Sequence, residues 1–471
     1  MTMTKTKNTF QTRIAVITLA LMLGGCQLSP DYAEPQVELP QSWRDQSAKQ
    51  AAAQEKIDAQ WWKKFKSAEL DKLMQSALEN NIDLRAALAR IDQARASAKI
   101  AGAPLLPSVD SSAGVGWNRT NPASGKTTSE NRGSIGLSVG YEVDLFGRNR
   151  AGLSAAEASL RASVYDRDAL DLVVKSDVAQ GYFQLLNLRE RMDIAKNNLE
   201  NSREVLRIVE ARYNAGTASA LDVSRQKTSL ASAEASLTAL GNQARAAENA
   251  ISILLGRAPA DLKLKSRGLA AVTVPKIPLS QPSSVVAQRP DIRAAEEGLV
   301  AANADIGAAR AAFFPVLNLG VDTTVARSAL SDPASVALAL AASAAAPIFK
   351  GGQLQGGVER ARARQTELAE NYRKTVLTSM QEVENALSSA KAAREREVSL
   401  ATAMQEARKA YTLSRDLYEA GAVDYQTMLD AERTLLSAED SHASVRLELL
   451  NAVVDLYKAL GGGWTTGAAK R

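Results

Sequence analysis

The chain has 471 residues, 45% of them apolar but only 5% aromatic, a balance too hydrophobic for disorder and suited to long, closely packed helices. Lys and Arg number 57 against 52 Asp and Glu, a net charge of +5; with no basic face carrying interleaved aromatics, this argues against nucleic-acid binding. One His and one Cys cannot build a zinc site. A catalytic triad would rest on His442, inside an Ala-Glu-Asp-Ser-His-Ala-Ser stretch that reads as an exposed helix face. No phosphate-binding loop is present, and the many acids read as solvated helix faces. Neither an enzyme nor a cofactor is expected.

Residues 1–25 read as a secretory signal. A basic start (Lys5, Lys7, Arg13) precedes the apolar run Ile14–Leu23, too short for the roughly 20 residues that span a bilayer. Leu23-Gly24-Gly25-Cys26 is similar to the bacterial lipobox, in which the cysteine is acylated. Gln27 follows where an Asp would mark inner-membrane retention, so the resemblance implies an outer-membrane lipoprotein. Residues 26–64 read as a lipid-anchored tether broken by Pro30, Pro35 and Pro40, with Trp43, Trp61 and Trp62 pinning it to the body.

Beyond the tether the chain repeats itself. Asn81-Ile82-Asp83-Leu84-Arg85-Ala86-Ala87 matches Arg289-Pro290-Asp291-Ile292-Arg293-Ala294-Ala295, and Tyr213-Asn-Ala-Gly216 matches Tyr418-Glu-Ala-Gly421. Leu255-Gly256 likewise matches Leu460-Gly461. An internal duplication of about 205 residues accounts for these pairs. It gives repeats at 65–265 and 266–464, with a tail at 465–471. Each repeat reads helix, two strands, very long helix, turn, helix.

In chain order, helices are predicted over about 65–101, 150–213 and 221–255, then 283–312, 352–419 and 427–460. Strands fall at about 108–118, 133–145, 315–325 and 335–347. Period-two alternation is strict in the second, where Ile135, Leu137, Val139, Tyr141, Val143 and Leu145 alternate with small or polar residues. Each run has the length of a tilted bilayer-crossing strand, and Phe146, Phe313, Phe314 and Phe349 at one end suit an aromatic girdle. A heptad seam is expected through Val178, Leu185, Met192, Leu199, Leu206 and Tyr213. The second repeat carries its counterpart through Val383, Ala390, Met404, Tyr411 and Tyr418, broken at Glu397. Four strands cannot close a barrel, and lipid forbids open edges, so several copies must share one.

Taken together, the chain resembles the outer-membrane efflux proteins, the TolC family, and within it the lipoprotein branch partnering resistance–nodulation–division pumps. The resemblance rests on Pro30-Asp31-Tyr32, Trp61-Trp62, Val143-Asp144-Leu145-Phe146-Gly147-Arg148, Arg289-Pro290-Asp291-Ile292-Arg293, Phe349-Lys350-Gly351-Gly352 and Leu456-Tyr457-Lys458-Ala459-Leu460-Gly461-Gly462-Gly463-Trp464. It implies a mainly α fold, a long coiled-coil α-barrel plus a 12-stranded β-barrel shared by a homotrimer in the outer membrane. It also implies a passive exit duct for small toxic compounds, served by a periplasmic adaptor and an inner-membrane pump. Asp430 resembles the family's constricting acid, with Arg433 one turn on and Gln426 one turn before, where relatives carry an apolar gate residue. Asp222 and Arg225 hold the related positions of the first repeat. The turns Tyr213–Ser219 and Tyr418–Asp424, with Gly216 and Gly421 in them, correspond to tips where the adaptor docks. A lipid-anchored periplasmic coiled-coil scaffold and the duct of a protein-secretion system are the competing readings.

Overall fold

The structure is a computed structural model describing residues 28–44, 57–123, 125–259, 264–266, 268–276, 282–327 and 333–464. The signal segment, Cys26 and the tail lie outside the described residues. In chain order the elements are α1 (Ala68–Asn80), α2 (Ile82–Gly102), β1 (Ser108–Thr120), β2 (Thr128–Val143), α3 (Arg148–Asn214) and α4 (Ala220–Leu254). They recur as α5 (Pro282–Gln288), α6 (Pro290–Ala311), β3 (Val316–Arg327), β4 (Ser335–Ala345), α7 (Gln353–Glu419) and α8 (Tyr425–Ala459). The duplication is therefore visible element by element. Helices α3 and α7 have 67 residues each, about 100 Å at 1.5 Å per residue.

The chain divides into two compact units, and neither is a repeat. One takes the described residues up to Gln36 together with Ala89–Val164 and Ala294–Arg373. The other takes Val37–Leu88, Tyr165–Arg293 and the chain from Lys374 onward. Each draws on both halves of the sequence, because the helices α2, α3, α6 and α7 contribute to both.

The first unit holds one antiparallel sheet in the order β1-β2-β3-β4. Its register keeps the apolar sets on one face: Val139 lies opposite both Val109 and Val321, Ile135 opposite Val325, and Val321 opposite Leu340. A slip of one residue in any strand would turn that set to the other face. The apolar side chains are bare, Val115 being 95% and Leu340 78% exposed. Beneath the sheet, Asp144 starts α3 by accepting the backbone N–H groups of Asn149 and Arg150 at 3.2 and 2.9 Å. A carboxylate at a helix start satisfies donors that have no partner inside the helix. Gly147 supplies the positive φ of that corner, which explains the Asp-Leu-Phe-Gly-Arg string. Phe146 stacks on Phe314 at 4.5 Å. In the same unit Asn303 and Arg310 of α6 donate to the carbonyls of Pro30 and Leu28, at 2.6 and 3.2 Å, holding the segment 28–36 against the helix.

The second unit carries the main core. Trp43, Trp61 and Phe65 are buried with Tyr182, Phe183, Leu186 and Tyr457, and Trp61 stacks on Tyr457 at 5.1 Å. Trp464 closes it, its indole N–H donating to Asp168 at 2.9 Å. Here the predicted single helices 65–101 and 283–312 are corrected. Each is two helices, broken at Asn81 and at Arg289, and the break is itself repeated. Asn81 accepts the N–H of Leu84 at 3.0 Å and donates to the Leu254 carbonyl at 2.8 Å. Arg289 donates to the Ala459 carbonyl at 3.1 Å and pairs with Asp291 and Glu382, both at 2.6 Å. Pro290 then opens α6, a position where its missing N–H costs nothing. The two side chains thus perform the same task, tying the end of α4 or α8 to the joint between two helices.

A second correction concerns the heptad seam. Val178, Leu185 and Leu199 are buried as expected, but further along α3 burial passes to Ser202, Val205 and Val209, and Tyr213 is exposed. Ser202 and Val209 stand three residues after Leu199 and Leu206, the second core position of a heptad, so the buried row changes its place within the repeat. In α7 the predicted phase holds through Tyr411 to Tyr418.

Candidate functional site

The candidate constriction and docking residues gather in the second unit, around the turns joining α3 to α4 and α7 to α8. Both turns end their long helix the same way. Gly216 donates to the Tyr213 carbonyl and Thr217 to the Arg212 carbonyl, each at 2.9 Å; Gly421 and Ala422 repeat this on Tyr418 and Leu417. The glycines sit at φ 76° and 78°, the left-handed geometry that a helix end of this type requires. The next helices are capped by polar side chains. Ser219 and Asp222 exchange backbone bonds as a capping box, and Asp424 accepts the N–H of Thr427 at 2.8 Å. Those Thr427 bonds hold the Asp424 carboxyl below its usual range.

The structure separates residues that the repeat pairs. Tyr418 is buried against Tyr425 at 6.1 Å, with the Arg212 guanidinium 4.5 Å above its ring. Arg212 also donates to the Glu419 carbonyl at 3.3 Å. Its partner in the repeat, Tyr213, is half exposed. Gly216 has open space around it. Asp222, a candidate acid of the first repeat, has its carboxylate occupied by the N–H and hydroxyl of Ser219 at 3.0 and 2.7 Å.

The other candidates form a chain of bonds. Arg225 on α4 donates to the Gln426 side-chain carbonyl at 2.8 Å. The Gln426 amide donates to both oxygens of Asp430, at 2.9 and 3.1 Å. All three are exposed, as is Arg433. Gln426 therefore bridges the two repeats and presents the Asp430 carboxylate, a role an apolar residue there would not fill. On the opposite side of α8 lie Tyr425, Met428, Leu429 and Glu432, all buried. The spacing 425, 428, 429, 432 is a helix stripe, and a glutamate inside it is the signal by which Glu432 stands out. Arg212, Ser202, Gln226 and Glu432 are functional candidates that the sequence patterns do not single out.

Among the described residues no cluster of His, Cys, Asp and Glu suited to a metal is found. No described helix is long and apolar enough to cross a membrane.

Bilayer-length strands in one sheet, carried on duplicated 67-residue helices, define the protomer of an outer-membrane channel built from a sheet and a helical barrel. A profile of the family described as outer membrane efflux protein matches residues 73–257 and again 281–462. The chain belongs to that family. It is 39% identical over 460 residues to the pyoverdine export outer membrane protein OpmQ of Pseudomonas aeruginosa, covering 96% of this chain and 97% of that one. It is 34% identical to the solvent efflux pump outer membrane protein SrpC of Pseudomonas putida, covering 94% and 97%. The solved outer-membrane channel OprN superposes with a TM-score of 0.85 at 32% identity, covering 93% of this chain and all of that one.

Proposed function

We propose that three copies of this chain form the exit duct of a tripartite efflux assembly, anchored through an acylated Cys26 and joined by a periplasmic adaptor to an inner-membrane pump. The observation that carries this reading is the four-stranded sheet. Its in-register apolar face is bare, and its outer strands β1 and β4 have one unpaired edge each. Lipid tolerates no open edge. Pairing β4 of one copy with β1 of the next removes all edges when the ring closes, and three copies supply twelve strands. The native mass of the detergent-purified mature protein tests this. A trimer is the expected result; a stable monomer would leave the edges open and favour the anchored-scaffold reading.

Within that duct, Asp430 is the constriction acid, with Gln426 and Arg225 fixing it and Arg433 and Asp222 flanking it. Rings of like charge in a narrow pore select for counter-ions. Asp430→Ala is expected to raise conductance in planar bilayers at least about twofold and to bring cation-over-anion selectivity towards unity. Unchanged selectivity would remove Asp430 from the constriction. The turns at Tyr213–Gly216 and Tyr418–Gly421 are the adaptor's docking tips, a role supported by the open space at Gly216. The relatives named above move unlike cargoes, so cargo choice is assigned to the pump rather than to the duct.

A further inference from the structure

Behind Asp430, on the other edge of α8, lies a closed circuit of buried polar groups. The Tyr425 hydroxyl donates to Gln226 of α4 at 2.5 Å. The Gln226 amide donates to the backbone carbonyl of Ser202 on α3 at 2.8 Å. The Ser202 hydroxyl donates to one oxygen of Glu432 at 3.1 Å, which returns the circuit to α8 two turns from where it began. Ser202 and Gln226 are fully buried, and Glu432 is 3% exposed. The second Glu432 oxygen is buried with no hydrogen-bond partner, and so are the hydroxyls of Tyr411 and Tyr418 on α7.

The groups facing Glu432 do not compensate a negative charge. From α3 and α4 come Ser202 and Gln226, neither of them titratable. From α7 comes Tyr411, with Arg415 beside it but paired to Asp416 and Glu419. On α8 itself, Tyr425 and exposed Arg433 are the charged or titratable neighbours. Burial raises the Glu432 carboxyl above its ordinary value, against smaller lowering effects of Ser202 and Arg433. Burial also pushes Tyr411 up to about 12, and Tyr425 higher still, so neither tyrosine ionises near neutral pH. A buried carboxyl without a cation is stable when neutral and costly when ionised.

We propose that Glu432 is a positioning residue for the constriction: buried and neutral, it clamps α8 to α3 through Ser202, and on ionising it releases α8 and with it the carboxylate of Asp430. This deepens the constriction reading and rests on it. The acid is more easily protonated in the clamped state than when solvated. The clamp is therefore complete below the ordinary glutamate range and is lost as pH rises through the raised value.

The experiment measures conductance of purified trimers in planar bilayers from pH 4 to 9, upward from the ordinary glutamate range, alongside spin-label mobility at Thr434→Cys. Wild-type conductance is expected to rise about threefold over that range, each protein copy losing up to one proton. Glu432→Gln, neutral and of the same shape, is expected to stay at the low-pH level throughout. Ser202→Ala, which removes the one hydrogen bond by which Glu432 holds α8 to α3, is expected to keep conductance at the high-pH level throughout. Should Glu432→Gln keep the wild-type pH profile, the titrating group is another and the proposal falls. If label mobility follows pH only with Glu432 present while Asp430→Ala leaves conductance unchanged, the clamp stands and the constriction lies elsewhere.

Discussion

Gly461→Ala is expected to lower the stability of the folded chain by about 3 kcal/mol, and Gly256→Ala by a similar amount, summing left-handed strain and overpacking. Both glycines end a helix with positive φ, 83° and 65°. Any β-carbon there would be driven into a backbone carbonyl, that of Gln288 for Gly461 and that of Asn80 for Gly256. Thermal unfolding of the purified protein measures the loss. Gly298→Ala serves as the control: that glycine lies inside α6 with nothing within 4 Å of a new β-carbon, so the substitution should be neutral or stabilise by up to about 1 kcal/mol. Equal melting temperatures for Gly461→Ala and Gly298→Ala would refute the close approach.

Arg289→Met is expected to cost about 2 kcal/mol, because the arginine is buried while its partners Asp291 and Glu382, 35% and 43% exposed, keep part of their hydration. Arg289 is buried, holding Asp291, Glu382 and the Ala459 carbonyl at once. Burial opposes its charge, yet the bonds to Asp291 and Glu382 outweigh that, and its pKa is raised. Removing it leaves two carboxylates and a helix end without their donor. Because the partners act as a unit, the losses should not add: Arg289→Met combined with Glu382→Leu is expected to be milder than Arg289→Met alone. Melting temperatures of the two single variants and the double variant decide this, and strict additivity would count against it.

Much of this architecture is legible in the sequence because it is periodic. Alternation over 135–145 marks a strand whatever surrounds it, and the paired Tyr-x-x-Gly strings mark both turns. The breaks at Asn81 and Arg289 escape a periodic reading, since each depends on a side chain reaching a carbonyl 173 or 170 residues away. The seam of α3 follows the prediction as far as Leu199, after which the buried row passes to Ser202, Val205 and Val209. Of the candidate site, Asp430 and Gln426 are singled out by their position along a known pattern. What the pattern does not carry is their connection, because Arg225 meets Gln426 only when the two repeats pack together. Glu432 is hidden for another reason: glutamate on a helix ordinarily means solvent, and only the burial of residues three, four and seven positions before it says otherwise.

The unpaired edges of β1 and β4 also bear on how such a protein is made. A newly exported chain displays two rows of free backbone groups beside a bare apolar face, the combination that seeds indiscriminate strand pairing. Among the described residues nothing within one chain pairs with them. Productive folding of this segment is therefore a race whose favourable branch depends on chains meeting one another, and its yield should rise and then collapse as their concentration increases.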